Sequence, residues 1–259
     1  GCWYRCTAAG ATVVIERKPF ALWSRDAAGN QLTELEPGGL AFRFSPAGKV
    51  LGVDFRHHLG RHEVLYGFGE RFDRFNEHGN VLTLWGMDDW TGLTIGLMNQ
   101  SYKPVPLFHS SAGYSVFVNS TYRLRADIGR KRSEQYRLTQ QGPVFDYYFW
   151  TGTPEHALES YTRLTGKPLL PPKWAFEPWI GRTGRGWANT PAHDPVAEEE
   201  RVVQRFAALD IPQSAIYAEG GSADSPALVP GSAAQGLKVL SWFYCCIPEA
   251  VQRALMPDT

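Results

Sequence analysis

The chain has 259 residues, 43% of them hydrophobic and 20% charged, and its 26 basic side chains balance 26 acidic ones. That is the composition of a globular protein of one large or two ordinary domains. Zero net charge argues against a nucleic-acid or membrane-surface partner, and no apolar run reaches the roughly 18 residues of a membrane-spanning helix.

From residue 11 to residue 150 the chain reads as strands. Short apolar or alternating runs recur: ATVVIE, LAFRFS, KVLGVDF, VLTLW, LTIGLMN, YSVFVN, YRLRADI, EQYRLT and VFDYYFW. Gly, Pro and Asn punctuate them, and this spacing predicts a β-sandwich. Within it, YGFGE contains Gly67 and Gly69, but no helix start follows. A bent, close-packed strand is therefore expected there rather than a phosphate loop. His57, His58 and His62 form the one histidine cluster, expected in an exposed loop.

The pattern changes at Thr153. TPEHALESYTRLTG places Ala157, Leu158, Tyr161 and Leu164 at helical spacing, with Thr153 as cap, Pro154 in the first turn and Gly166 as terminator. KPLLPP then breaks the chain. KWAFEPWIGR predicts a strand, and DPVAEEERVVQRFAALD a helix capped by Asp194 with Val196, Val203, Phe206 and Leu209 on one side. IPQSAIYAE and GLKVLSWFY predict two more strands. Alternating strands and helices imply a parallel sheet, either barrel or doubly wound. The expected division is a sandwich over 1–152, a helical linker over 153–171 and an α/β region over 172–259.

Four cysteines are present: Cys2 and Cys6 near the start, and the adjacent Cys245 and Cys246. Adjacent cysteines bridge each other only with strain, and no spacing reads as a zinc site. No metal set, nucleotide fingerprint or Ser/His/Asp order competes, so no cofactor is expected. No charged n-region followed by an apolar h-region opens the chain, which favours the cytoplasm. Its first residue is Gly rather than Met, which points to processing or truncation and leaves the compartment open.

Residues 66–108 carry the most chemistry. Asp88 and Asp89 lie between Trp85 and Trp90. Carboxylates accept hydroxyl hydrogen bonds, and indole faces pack on the apolar faces of pyranose rings. A sugar partner is one reading; a capped turn beside core tryptophans is the other.

YGFGERF, WGMDDW, YKPVPLFHSSAGYSVFVN, FDYYFWTG and LTGKPLLPPKWAF follow one another in this order. Together they resemble the retaining α-glycosidases of glycoside hydrolase family 31, over about residues 66–240. The resemblance implies a galactose-mutarotase-like β-sandwich followed by the first strands of a (β/α)8 barrel. It implies an α-glycoside as substrate. Asp88 then matches an N-domain loop residue that contacts the sugar beyond the cleaved bond, with Asp89 as the one-register alternative and Trp90 beside them. Glu219, at the end of a barrel strand, matches an acid that binds hydroxyls of the sugar being cleaved. That acid is usually Asp; a Glu here is one methylene longer. Arg182 matches an arginine near the site, and Trp187 is a plausible sugar platform.

Retaining hydrolysis needs two carboxyl groups about 5–5.5 Å apart. Neighbouring side chains on an extended segment point to opposite faces, so Asp88 and Asp89 suit neither role. In the resembled family the nucleophile follows the fourth barrel strand and the acid/base lies later. Both positions are expected beyond Thr259, so catalysis by this chain alone is not expected. Three strands do not close a barrel, and the open edge predicts self-association. The alternatives are a non-catalytic carbohydrate-binding module and a structural remnant.

Overall fold

The computed structural model describes residues 3–8, 10–71, 73–86, 101–183, 195–219 and 234–241. It separates into two compact units, Gly1–Lys167 and Pro168–Thr259.

The first unit contains β1 (Trp3–Ala8), β2 (Ala11–Arg17), β3 (Phe20–Asp26), β4 (Gln31–Phe44), β5 (Val50–His58), β6 (Leu65–Gly69) and β7 (Asn80–Leu84). It continues with β8 (Pro104–Ser110), β9 (Tyr114–Val118), β10 (Leu124–Ile128), β11 (Gln135–Gln141), β12 (Tyr147–Thr151) and helix α1 (Pro154–Thr165). Among the described residues, eight strands pair in the order β1-β2-β3-β4-β5-β11-β10-β7, and four in the order β12-β9-β8-β6. Every pairing in these two sheets is antiparallel.

One core joins the two sheets. Leu35, Phe55, Leu82, Ala126 and Leu138 of the larger sheet cluster with Leu65, Phe68, Phe108, Tyr114 and Val116 of the smaller. Burying each large side chain contributes about 1.5–3 kcal/mol. Strand alternation selects them. On β5, Phe55 joins the core, whereas Asp54 pairs with Arg137 at 2.9 Å and accepts a hydrogen bond from Thr139 Oγ1 at 2.6 Å.

That alternation also corrects the reading of the histidine cluster. His57 is not in an exposed loop; it lies on β5 with no solvent exposure, while His58 is exposed. Its ring stacks on Tyr136 at 4.9 Å and 4°, and Nδ1 shares a hydrogen bond with Thr33 Oγ1 at 3.0 Å. Burial pushes its pKa down to about 3, so the ring is neutral at physiological pH.

Helix α1 starts where its caps predict. Thr153 Oγ1 accepts from the His156 amide, Pro154 opens the first turn, and the Gly166 amide donates back to the Thr162 carbonyl. Its buried face is narrower than the spacing suggests. Ala157 is buried and Tyr161 meets Phe117 edge-on at 4.9 Å, but Leu158 and Leu164 are exposed. The helix lies in the first unit.

The second unit contains β13 (Trp179–Thr183), α2 (Pro195–Ala208), β14 (Ala215–Glu219) and β15 (Lys238–Ser241). The three strands pair in parallel in that order. Val203 of α2, Ile216 and Leu237 form a small core. Leu209, expected on the buried side of the helix, is exposed beyond its last turn. KWAFEPWIGR is not one strand: Lys173–Phe176 forms a 3-10 turn after Pro172, and Pro178 intervenes before β13 begins. Proline fixes φ and lacks the amide a strand ladder needs. The strand expected at LTIGLMN and the Asp194 cap lie outside the described residues.

Candidate functional site

The segment carrying the acidic pair is rooted in the sandwich. β7 ends at Leu84, which is buried and pairs with Leu124 of β10. Trp85 follows, about half exposed, and Gly86 pairs with Ser101 in an isolated parallel bridge. These two residues bound residues 87–100, which lie outside the described residues. Ser101 is buried, and its Oγ accepts from the Lys103 amide at 3.2 Å.

Lys103 in turn holds the glycine motif. Its carbonyl accepts from the Glu70 amide at 3.1 Å, and its Nζ lies 3.2 Å from Glu70 Oε2. Both charged ends are exposed, so the ion pair itself contributes little; the backbone bond is the firmer tie. Gly86 and the YGFGE motif are thereby joined through Ser101 and Lys103, although residues 87–100 lie between Gly86 and Ser101.

A cavity of about 350 Å³ opens at this root, with Trp85, Pro104, Pro106, Ser120, Thr121 and Tyr122 among its lining residues. Trp85 and Tyr122 are each about half exposed, so part of each ring is open to solvent at the cavity. Aromatic faces and hydroxyls in one cavity suit a ligand with alternating apolar and hydroxylated faces. Tyr122, Ser120 and Thr121 were not singled out from sequence. Tyr122 reads only as the first residue of the strand run YRLRADI, and the chain's return beside Trp85 depends on the β7–β10 pairing.

Asp88, Asp89, Trp90 and Trp187 lie outside the described residues. Arg182 and Glu219 are placed by their backbones: Arg182 one residue before the end of β13, Glu219 as the last residue of β14. Glu219 is in parallel register with Thr183, so both positions fall at the C-terminal ends of adjacent strands. No described group of His, Cys, Asp and Glu side chains is arranged to hold a metal ion. No described helix is long and apolar enough to cross a membrane.

Fold and patterning define a β-sandwich of the galactose mutarotase-like kind. Residues 4–127 match the glycosyl hydrolase 31 N-terminal galactose mutarotase-like domain. The α-xylosidase XylQ of Lactiplantibacillus pentosus is 38% identical over 123 residues, which cover 47% of this chain and 16% of that protein. Alpha-glucosidase 2 of Bacillus thermoamyloliquefaciens is 28% identical over 214 residues, covering 82% of this chain and 25% of that protein. The fold resembles the Flavobacterium johnsoniae family 31 dextranase complexed with glucose, with a TM-score of 0.80 at 21% identity. That likeness covers 97% of this chain and 31% of the dextranase. The chain thus spans a quarter or less of the length of these two curated relatives.

Proposed function

We propose that this chain is the N-terminal part of a retaining α-glycoside hydrolase acting on α-linked oligosaccharides or glycosides. In this reading 1–152 is the sandwich domain, 153–171 the linker, and β13–β15 are the first strands of a (β/α)8 barrel. One observation carries the proposal. The segment with Asp88, Asp89 and Trp90 springs from a neck closed by the Gly86–Ser101 bridge, beside a cavity faced by Trp85 and Tyr122.

The roles follow from chemistry. Glu219, at a barrel strand's C-terminal end where such folds build their sites, accepts hydrogen bonds from hydroxyls of the sugar being cleaved. Asp88 does the same for the sugar beyond the bond. Arg182 and Trp187 complete the contacts, by charge and by stacking. The relatives named for xylosides and glucosides, and a dextranase structure complexed with isomaltotriose, support α-linked pyranosides as the substrate class.

No residue of this sequence is assigned as nucleophile or acid/base. The polypeptide of this sequence alone should therefore not hydrolyse nitrophenyl α-glucoside or α-xyloside, while the intact protein should. Turnover by the polypeptide that survives repurification and disappears in Glu219→Gln would overturn this division of labour.

A further inference from the structure

A second cleft lies along β6, the edge strand of the four-stranded sheet, and no role above uses it. Its volume is about 510 Å³. We propose that this cleft, lined by Tyr66, Arg71, Asp73, Arg74, Phe75 and Glu77, binds a neutral pyranoside.

The cleft has a fixed floor. Gly67, Phe68 and Gly69 take φ values of 115°, 65° and 90° in succession. Such values are rare for a bulky side chain, and Phe68 is held there by burial and by stacking on Phe108 at 4.8 Å. A Cβ at Gly67 would meet the Leu107 carbonyl oxygen at 2.9 Å, and one at Gly69 would overlap the Lys103 carbonyl and the Val105 amide nitrogen. Glycine lets the strand lie flush on β8 and leaves its outer side open.

The cleft also has an aromatic plate. Phe75 is 73% exposed, and its ring stacks on Tyr66 at 4.7 Å and 23°. One ring face is covered by Tyr66. The exposed remainder offers the flat apolar surface on which the C–H face of a pyranose packs.

Polar groups beside the plate are prearranged. Arg74 Nη2 donates to Asn80 Oδ1 at 2.7 Å, and Asn80 Nδ2 donates to Asp73 Oδ2 at 2.9 Å. Asn80 Nδ2 also donates to Glu77 Oε2 at 2.6 Å. Glu77 is 1% exposed, and Arg71 Nε lies 3.9 Å from its Oε1. Asn80 thus fixes Asp73 and Arg74 on one rim, where carboxylate and guanidinium meet paired hydroxyls.

Charge selects among ligands. Two arginines and two acids line the cleft, so their formal charges cancel. A phosphate or nucleotide would face the exposed Asp73 carboxylate, and a cation the exposed Arg74 guanidinium. A neutral polyol satisfies donors and acceptors without either repulsion.

The test is ligand-observed NMR titration of the protein with maltotriose and isomaltotriose, alongside thermal melts. The expected result is millimolar binding, weakened about tenfold by Phe75→Ala and kept by Phe75→Trp. Phe44→Ala, an exposed aromatic outside this cleft, should leave that affinity in place, and inorganic phosphate should not compete. The inference is overturned if the native protein shows no binding at tens of millimolar sugar, if Phe75→Ala binds as well as the native protein, or if phosphate displaces the sugar. The readout is binding without hydrolysis, so failure here is distinguishable from failure of the glycosidase reading.

Discussion

Gly86 and Ser101 pair in a parallel bridge that closes the neck of the segment holding Asp88, Asp89 and Trp90. The neck is anchored from below by buried Leu84 and from the side by the Lys103–Glu70 backbone bond. Trp85 lines the adjoining cavity and is about half exposed. In the intact protein, Trp85→Ala should raise KM for α-linked disaccharides roughly fivefold, the loss of about 1 kcal/mol of stacking. It should change stability by no more than about 0.5 kcal/mol in urea, as for a surface site. Steady-state kinetics beside urea unfolding check both.

Glu63 ties three parts of the sandwich together. Its Oε1 accepts from Tyr114 Oη at 2.7 Å and from Ser110 Oγ, and its Oε2 accepts from the Gly60 amide at 2.8 Å. Glu63→Gln puts an amide donor against at least one of these donors. It should cost about 1–3 kcal/mol, and Tyr114→Phe in that background should recover part of the loss. Urea midpoints of the two variants decide this.

Acid should destabilise the sandwich through His57. Its folded pKa is depressed to about 3 by burial, from an ordinary 6.5. Below about pH 6.5 the unfolded chain takes up a proton that the native ring does not, so stability falls as pH drops towards 3, by up to about 1.4 kcal/mol per pH unit. Asp54 adds loss in the same direction: burial opposes its charge, but bonds from Arg137 and Thr139 outweigh that and hold its pKa low. His57→Gln should be less stable at neutral pH and lose less between about pH 6 and pH 4 than the native chain. Unfolding free energies across that range measure the difference.

The polypeptide of this sequence should self-associate. Leu169 and Leu170 are each 91% exposed and Phe176 71%, and β13 and β15 have no second neighbour among the described strands. Unpaired strand edges beside apolar surface template pairing with other chains. Light scattering should give a mass above that of the monomer; a monodisperse monomer would contradict it.

Much of this architecture is legible from the sequence because alternation and caps are local signals. Most of the strands after LAFRFS and the helix opened by Thr153 and Pro154 follow from them. β3 and β8 escape because FALWSRD mixes charges into its alternation and PVPLFHS carries two prolines that read as punctuation. Only pairing with neighbouring strands makes them strands. A histidine pair looks solvated in sequence, and only β5 alternation sends the His57 ring inwards. Leu158 and Leu164 look buried by spacing, yet α1 presents only a narrow face to β9. For the site, Asp88, Asp89 and Trp90 stand out by residue type. Tyr122 and Phe75 do not, since their value depends on what the fold places beside them.

The most direct test of the central claim compares Asp88→Asn and Glu219→Gln in the intact protein, on an α-linked disaccharide and on an aryl α-glycoside. Charged hydrogen bonds contribute roughly 1.5–3 kcal/mol, and contacts to the reacting sugar tighten in the transition state. Glu219→Gln should lower kcat on both substrates, whereas Asp88→Asn should impair the disaccharide and spare the aryl glycoside. Native-like kinetics from both variants, or no hydrolysis of α-glycosides by the intact protein, would contradict the account.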